Sequence, residues 1–160
     1  MDRVIQIGSF SKTLSAAARC GFIAAKPEWL DGLIDLKIAT TFGGARLNEE
    51  LVHAVLSDGR FLKHIAALRS RLEQARQDVA LRLRDMGIEP WIEPRAGMFL
   101  WCRLPDDRDS ADVARQALAS NVVLAPGNAF SVSQTAGNYM RFNVAQMQDQ
   151  RTFEVLQTVL

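Results

Sequence analysis

An apolar stripe through the middle of the chain constrains the fold more than any other feature. Its members recur at steps of three and four residues: Phe61, Ile65, Leu68, Leu72, Ala75, Val79, Leu83 and Met86. This spacing predicts one amphipathic helix of about 26 residues. Gly87 follows directly and is suited to end the helix in a left-handed conformation. We expect the helix to lie across the seam between two subdomains, and a coiled-coil partner is the alternative.

Shorter elements of both types are predicted on either side of this helix. Before it we expect strands over 4–7 and 21–25, a helix from Pro27 to about Asp35, a breaker over 40–44, and a helix from about Arg46 to Leu56. After it we expect strands over 98–103, 122–125 and 139–144, a short helix capped by Ser110, and a final amphipathic helix carrying Phe153, Leu156 and Val159. The pattern predicts an α/β chain that ends in a small α+β unit from about residue 88.

Composition excludes several classes of protein. The chain has 160 residues, 48% of them hydrophobic and 23% charged, which is typical of a soluble globular domain. A net charge of +1 argues against a protein that binds nucleic-acid backbone, so we expect no direct nucleic-acid binding. Two scattered cysteines predict neither a disulfide scaffold nor a metal site and fit a reducing cytoplasm. No apolar run reaches membrane-spanning length, and no secretory leader is recognisable.

Lys12 is the strongest candidate for chemistry. It lies in the segment Ser9-Phe10-Ser11-Lys12-Thr13, directly after a β-prone run, and Arg19 follows seven residues later. An amine in this position can form a Schiff base with a carbonyl cofactor, while Ser9, Ser11 and Arg19 offer donors to a phosphate on the same molecule. Only four lysines compete for this role: Lys12, Lys26, Lys37 and Lys63. The alternative is a solvated lysine in a strand-to-helix turn whose serines cap the helix.

Arg141 is the second candidate, because it lies in the middle of a predicted strand. A charge there is costly unless it faces a cleft and finds a partner, and a guanidinium can hold a carboxylate with two hydrogen bonds. The alternative is a salt bridge on a polar sheet face.

Gly97 is expected to let backbone approach a substrate, or to form a β-bulge. Asn128 and Phe130 are expected to shape a side-chain pocket, whereas His53 and His64 are interpreted as structural.

Six segments, taken together, resemble one protein family. They occur in this order: Gly8–Ala24, Leu47–Leu51, Leu62–Ile65, Pro94–Trp101, Val123–Phe130 and Met140–Asn143. The series is similar to that of fold-type I pyridoxal-phosphate-dependent aminotransferases of class I/II. It is most similar to 2-aminoadipate-aminotransferase-like proteins and to the aminotransferase-like domain of MocR regulators in the GntR family. One departure is that Ala16-Ala17 stands where the family usually has Pro-Gly, which affects how Arg19 is placed.

The resemblance implies a domain organisation and a set of roles. Residues 1–58 would be the C-terminal part of the large pyridoxal-phosphate domain with the end of its sheet, 59–87 a long linking helix, and 88–160 the small C-terminal aminotransferase domain. Lys12 would be the Schiff-base lysine, Ser9, Ser11 and Arg19 would bind the cofactor phosphate, and Arg141 would grip the substrate α-carboxylate. Gly97 and Asn128 would line the substrate side, and no residue is assigned to a metal.

The resemblance also implies function and partners, with alternatives. The leading hypothesis is amino-group transfer between an amino acid and a 2-oxo acid in a cytoplasmic homodimer that uses pyridoxal 5′-phosphate. We expect this chain alone to be inactive or very weak, because the family places further cofactor contacts before the lysine segment. The second hypothesis is the effector- and cofactor-sensing domain of a MocR-type transcriptional regulator. The third is an interaction module whose long helix dimerises.

Overall fold

The computed structural model describes residues 3–160, which form two compact units of mixed helix and sheet. The first unit ends at Leu68 and the second spans Arg69–Leu160. Met1 and Asp2, at the start of the predicted range 1–58, lie outside the described residues. The three-part domain division stays a prediction. Within residues 3–160, no helix has both the length and the apolar character needed to cross a membrane.

The first unit pairs a short hairpin with helices. Strands β1 (Gln6–Ser9) and β2 (Gly21–Ala24) are antiparallel, with Ile7 opposite Ile23. Helices α1 (Pro27–Thr41) and α2 (Arg46–Ser57) follow, and then the long helix α3 (Arg60–Arg84) begins. Strand β1 begins two residues later than predicted, because the pairing with β2 sets its limits.

Helix α1 continues past its predicted end near Asp35 and stops inside the breaker predicted over 40–44. The hydroxyl of Thr40 donates to the Leu36 carbonyl at 2.7 Å, and that of Thr41 donates to Lys37 at 3.0 Å. These bonds within the helix satisfy the threonine side chains, so the two residues remain helical. The helix ends at Phe42, whose φ is 55° and whose N–H donates to the Ile38 carbonyl.

The long helix predicted from the apolar stripe is present as α3, with 25 residues. It ends in two backbone bonds, from Gly87 N–H to Arg84 at 2.8 Å and from Ile88 N–H to Leu83 at 3.0 Å. Gly87 has a φ of 75°, which a residue with a Cβ rarely adopts. This is a Schellman ending, and it confirms the stop predicted at Gly87. Val79 and Leu83 from the stripe are fully buried in the second unit.

The second unit is a four-stranded antiparallel sheet with helices on one face. The strands run in the order β3-β4-β6-β5, and their bounds are Glu89–Pro90, Phe99–Arg103, Tyr139–Asn143 and Ala125–Pro126. Helices α4 (Ser110–Ala119) and α5 (Gln150–Val159) join α3 in one hydrophobic core. Met140, Phe142 and Val144 point into this core, as the alternation in the sequence predicts.

Two local predictions in the second unit are wrong. Asp109, rather than Ser110, caps α4, because its Oδ1 accepts from the N–H groups of Ala111 and Asp112 at 2.7 and 3.2 Å. Ser110 is instead buried, and its hydroxyl accepts from the Gly127 N–H at 3.2 Å. The strand predicted over 122–125 shrinks to Ala125–Pro126, because Asn121 and Val122 are used to close α4.

Candidate functional site

Lys12 lies in a turn directly after β1, and backbone bonds hold this turn. The N–H of Leu14 donates to the Phe10 carbonyl at 2.8 Å, and that of Phe10 donates to Cys20 at 3.0 Å. The Lys12 side chain is exposed, and its ammonium has no hydrogen bond or ion pair with any residue in 3–160. An amine in this setting is available for a ligand, since no carboxylate of the described residues neutralises it.

The structure brings the other predicted cofactor residues of this unit to the same end of the hairpin. Ser9 lies opposite Gly21 in the β1–β2 register, so Arg19, two residues before Gly21, lies near the Ser9–Ser11 end. The hydroxyl of Ser9 accepts from the Ser11 N–H at 3.2 Å. Because a hydroxyl can accept and donate at once, Ser9 still has its hydrogen to offer.

The Ala16-Ala17 departure from the family pattern lies in a short turn before β2. Residues Ala16–Ala18 form a 3-10 turn, capped by the Ser15 hydroxyl, which accepts from Ala17 N–H at 3.2 Å. The left-handed conformation falls on Arg19, with φ 44° and ψ 36°. The turn therefore places positive φ on a non-glycine residue, which costs conformational energy. The Arg19 guanidinium is exposed and makes no hydrogen bond within residues 3–160.

Two side chains of α3 hold the Lys12 turn, and only the structure reveals them. The His64 Nε2–H donates to the Thr13 carbonyl at 2.9 Å. The Phe61 ring lies edge-on to Phe10, with centroids 6.0 Å apart. The sequence offered no signal for the histidine bond, since 51 residues separate its partners. His64 is structural, as interpreted, but the segment that it supports carries the candidate lysine.

Arg141 lies in the middle of β6, opposite Trp101 on β4 and Ala125 on β5. Its guanidinium carbon lies 4.4 Å from the Phe99 ring centroid and 3.8 Å from that of Phe130. Its Nε is buried without a hydrogen-bond partner, and no carboxylate within residues 3–160 lies close enough to form an ion pair with it. The structural salt bridge that was the alternative for Arg141 therefore has no support among the described residues.

A cavity of about 560 Å³ opens beside Arg141. Segment 121–125 forms part of its wall. Of this segment, only Ala125 pairs with β6. Phe99, Asn143 and Arg151 are among its lining residues. A half-buried, unpaired cation at the wall of such a cavity favours an anionic ligand, because an uncompensated buried charge is costly.

Gly97 and Asn128 have clear local roles in the same unit. Gly97 has a φ of 95°, and a Cβ built on it would meet no atom within 4 Å. The positive φ of the turn, rather than a lack of space for a side chain, therefore favours glycine here. The Gly97 backbone carbonyl accepts from Arg76 Nη1 at 3.3 Å. The Asn128 Oδ1 accepts from the Ala136 N–H at 3.0 Å and ties the ends of a loop together. Substrate contact by either residue stays a prediction.

Cys102 and Asp107 are two of the groups outside the set of predicted site residues whose pKa values are shifted. Burial raises the pKa of the Cys102 thiol to about 12, and this residue is on the core face of β4. Hydrogen bonds from Arg103, and then from Asn138, lower the pKa of the Asp107 carboxyl. Both shifts come from packing and ion pairing, so neither group is a candidate for chemistry.

Comparison with known proteins places the chain in a family. It matches the family described as aminotransferase class I and II over residues 1–159, and it belongs to that family. It is 32% identical over 147 residues to a 2-aminoadipate transaminase of Thermus thermophilus, covering 90% of this chain and 36% of the relative. It is also 27% identical to an uncharacterized HTH-type transcriptional regulator, YdfD, of Bacillus subtilis, covering 89% of this chain and 30% of the relative.

A solved structure confirms the fold class. The crystal structure of LysN, an alpha-aminoadipate aminotransferase of Thermus thermophilus complexed with N-(5′-phosphopyridoxyl)-L-leucine, superposes with a TM-score of 0.86. The identity is 29%, and the match covers 98% of this chain and 41% of that one. The predicted α/β fragment of an aminotransferase fold is therefore confirmed. The chain spans a little over a third of the length of the 2-aminoadipate transaminase.

Proposed function

We propose that this chain is the C-terminal portion of a pyridoxal-phosphate-dependent aminotransferase that moves an amino group between an amino acid and a 2-oxo acid. The observation that carries the proposal is the Lys12 ammonium at the end of the β1–β2 hairpin, which no residue in 3–160 pairs with, in a chain that matches the family over residues 1–159. The proposed protein is a cytoplasmic homodimer.

The residues at the hairpin end suit a phosphorylated aldehyde. Such a molecule requires an amine, hydroxyls and a guanidinium as its donor set. Lys12, Ser9, Ser11 and Arg19 supply it, and neither charged group is paired with any of the described residues. Lys12 would hold the aldehyde carbon, while Ser9, Ser11 and Arg19 would hold the phosphate. When bound, pyridoxal 5′-phosphate supplies an electron sink that makes the Cα–H of an amino acid acidic.

Lys12 is also proposed to move the proton. With its Nζ free, Lys12 would take the proton from Cα of the amino acid as a general base. His64 would assist indirectly, since its bond to the Thr13 carbonyl keeps the turn that carries Lys12 in place.

Arg141 is proposed to bind the α-carboxylate of the amino acid or 2-oxo acid. The support is its unpaired guanidinium beside a cavity, because a planar guanidinium can form two parallel hydrogen bonds to a carboxylate. Gly97 and Asn128 would shape the same side of the pocket through the turns that they hold.

The test is a titration of the purified chain with pyridoxal 5′-phosphate, followed by absorbance of the cofactor. We expect a saturable spectral change that is lost in Lys12→Arg and retained in Lys26→Arg, a matched control on the same unit. A titration of Lys12→Arg that coincides with the wild type would contradict the proposal. Turnover is measured with L-2-aminoadipate as donor, and we expect little or none from this chain alone.

The second candidate function is the sensing domain of a MocR-type transcriptional regulator. Similarity to the HTH-type regulator YdfD favours it. In this case the same residues would bind pyridoxal phosphate and an amino-acid effector without releasing product. The nucleotide sequence upstream of the Met1 codon separates the two candidates: a helix-turn-helix coding region favours the regulator, and a continuous cofactor domain favours the enzyme.

A further inference from the structure

The open face of the second unit's sheet, opposite its hydrophobic core, carries an aromatic cluster around Arg141. Phe99 and Trp101 lie on β4, while Tyr139 and Arg141 lie on β6. Trp101 is directly opposite Arg141, and Phe99 is its diagonal neighbour in the register. The fifth member, Phe130, comes from the 3-10 turn Gly127–Phe130 after β5. The rings of Phe99 and Phe130, which come from two separate segments, therefore meet at the Arg141 guanidinium.

Phe99 and Phe130, named here the aromatic clamp, contact the cation directly. The Arg141 guanidinium carbon lies over both rings, at 4.4 and 3.8 Å from their centroids. Each contact is within the range of a cation–π interaction. The clamp leaves Nε buried and unpartnered within residues 3–160, and none of the described residues pairs with the guanidinium. The rings thus provide the contacts that a salt bridge would otherwise supply.

The scaffold fixes the position of Phe130. Its ring stands edge-on to Trp101, with centroids 6.1 Å apart and planes at 86°. Trp101 in turn stacks on Tyr139 at 5.5 Å and 5°. The turn that carries Phe130 is tied down at Gly127, whose N–H donates to the buried Ser110 hydroxyl. It is tied down again at Asn128, which accepts from Ala136.

We propose that Phe99 and Phe130 are positioning residues that hold the Arg141 guanidinium ready for a carboxylate. A free arginine side chain loses rotamer freedom when it binds, and the clamp removes that cost in advance. Ring faces attract the cation but offer no hydrogen-bond acceptor of their own, so they do not compete with the carboxylate for the N–H donors. The proposal rests on the proposed carboxylate binding by Arg141 and is independent of Lys12 and the cofactor.

The experiment measures binding of pyruvate, a small 2-oxo acid, to the cofactor-free chain by NMR. The reporter is the Arg141 Nε–Hε signal in protein labelled with ¹⁵N-arginine and assigned with Arg141→Leu. Phe130→Leu and Phe99→Leu keep an apolar side chain but remove the ring. We expect each to weaken pyruvate binding about three- to thirtyfold, the range that one cation–π contact supports. We also expect each to shift the Hε signal in the ligand-free protein, because a ring current is lost.

Controls separate positioning from folding. Phe130→Tyr keeps the ring, so we expect affinity and Hε shift close to those of the wild type. Phe22→Leu, a matched ring removal on β2, should change neither. If the backbone amide spectrum of a leucine variant shows that the protein has lost its fold, Phe130→Met replaces that variant in the comparison.

The clamp proposal is overturned if the wild type binds pyruvate and all ring-removal variants bind it equally well. If the wild type fails to bind it, the carboxylate role of Arg141 is overturned as well, whereas cofactor labelling of Lys12 is unaffected.

Discussion

The two units differ sharply in how they bury apolar surface. Val52 is the only buried hydrophobic residue among residues 3–68, whereas the rest of the core lies between Val79 and Val159. Large apolar side chains of the first unit remain exposed, with Ile7 at 76% and Phe42 at 93%. The hairpin β1–β2 has only two strands, an arrangement that is marginal in water by itself.

This difference means that the surroundings of Lys12 and those of Arg141 have unequal support within their own units. Arg141 stands on a sheet that is backed by a complete core, so its surroundings are organised within the second unit. Lys12 stands on a hairpin whose apolar faces are largely open, and the main local support is the contact of Phe61 and His64 with the turn. We infer that the β1–β2 hairpin of the first unit opens more easily than the sheet of the second unit.

The largest expected difference between the two units is the rate at which a thiol reagent labels their cysteines. Cys20 lies at the hairpin end and Cys102 in the core. Because burial raises the pKa of Cys102 to about 12, very little of it is thiolate at pH 8, and the fraction rises as pH approaches that value. We expect Cys102 to react with a thiol reagent at pH 8 roughly a thousandfold more slowly than an ordinary exposed thiol. Labelling followed by mass spectrometry measures both sites, and equal rates in the native protein would break the comparison.

A matched pair of leucines tests the contrast in stability. Leu156 is fully buried, and Leu156→Ala should lower the free energy of unfolding by about 2–5 kcal/mol. Leu62 on α3 is 73% exposed, and Leu62→Ala should change it by less than about 0.5 kcal/mol. Urea unfolding followed by circular dichroism measures both. Equal destabilisation would show that the first unit is packed more tightly than its open faces indicate.

The smallest effect concerns the bond that anchors the turn of Phe130. Ser110→Ala leaves the Gly127 N–H without its acceptor and should cost about 1 kcal/mol of stability. Ser133→Ala is the control, because Ser133 is exposed and bonds only to neighbouring hydroxyls. Urea unfolding again provides the measurement. A neutral Ser110→Ala would indicate that another contact holds the turn.

The sequence predicted those features that depend on regular spacing. The stripe from Phe61 to Met86 gave α3 and its end at Gly87, and the alternation over 139–144 gave the buried face of β6. Such patterns are local, because each residue's exposure follows from the period of its own element. The two errors arise from hydrogen bonds between segments. The Ser110 hydroxyl accepts from Gly127, and the N–H groups of Asn121 and Val122 donate to carbonyls at the end of α4.

Some features of the candidate site were likewise predictable from the sequence, and others were not. The sequence predicted the placement of Ser9 and Ser11 beside Lys12, since Ser9 ends β1 and the other two lie in the turn that follows. It did not predict the His64 bond to Thr13 or the contact of Phe99 and Phe130 with Arg141. These contacts join residues from distant segments, so tertiary packing creates them and no local period encodes them. The roles of Lys12 and Arg141 stay predictions until they are measured.

The most direct test of the account is to locate the lysine that holds the cofactor. The chain is incubated with pyridoxal 5′-phosphate, reduced with borohydride, digested and mapped by mass spectrometry. We expect the pyridoxyl group on Lys12, and the label should disappear in Lys12→Arg without moving to another site. Equal labelling of Lys12, Lys26, Lys37 and Lys63 would contradict the central claim, because it would show that the hairpin end has no preference for the aldehyde.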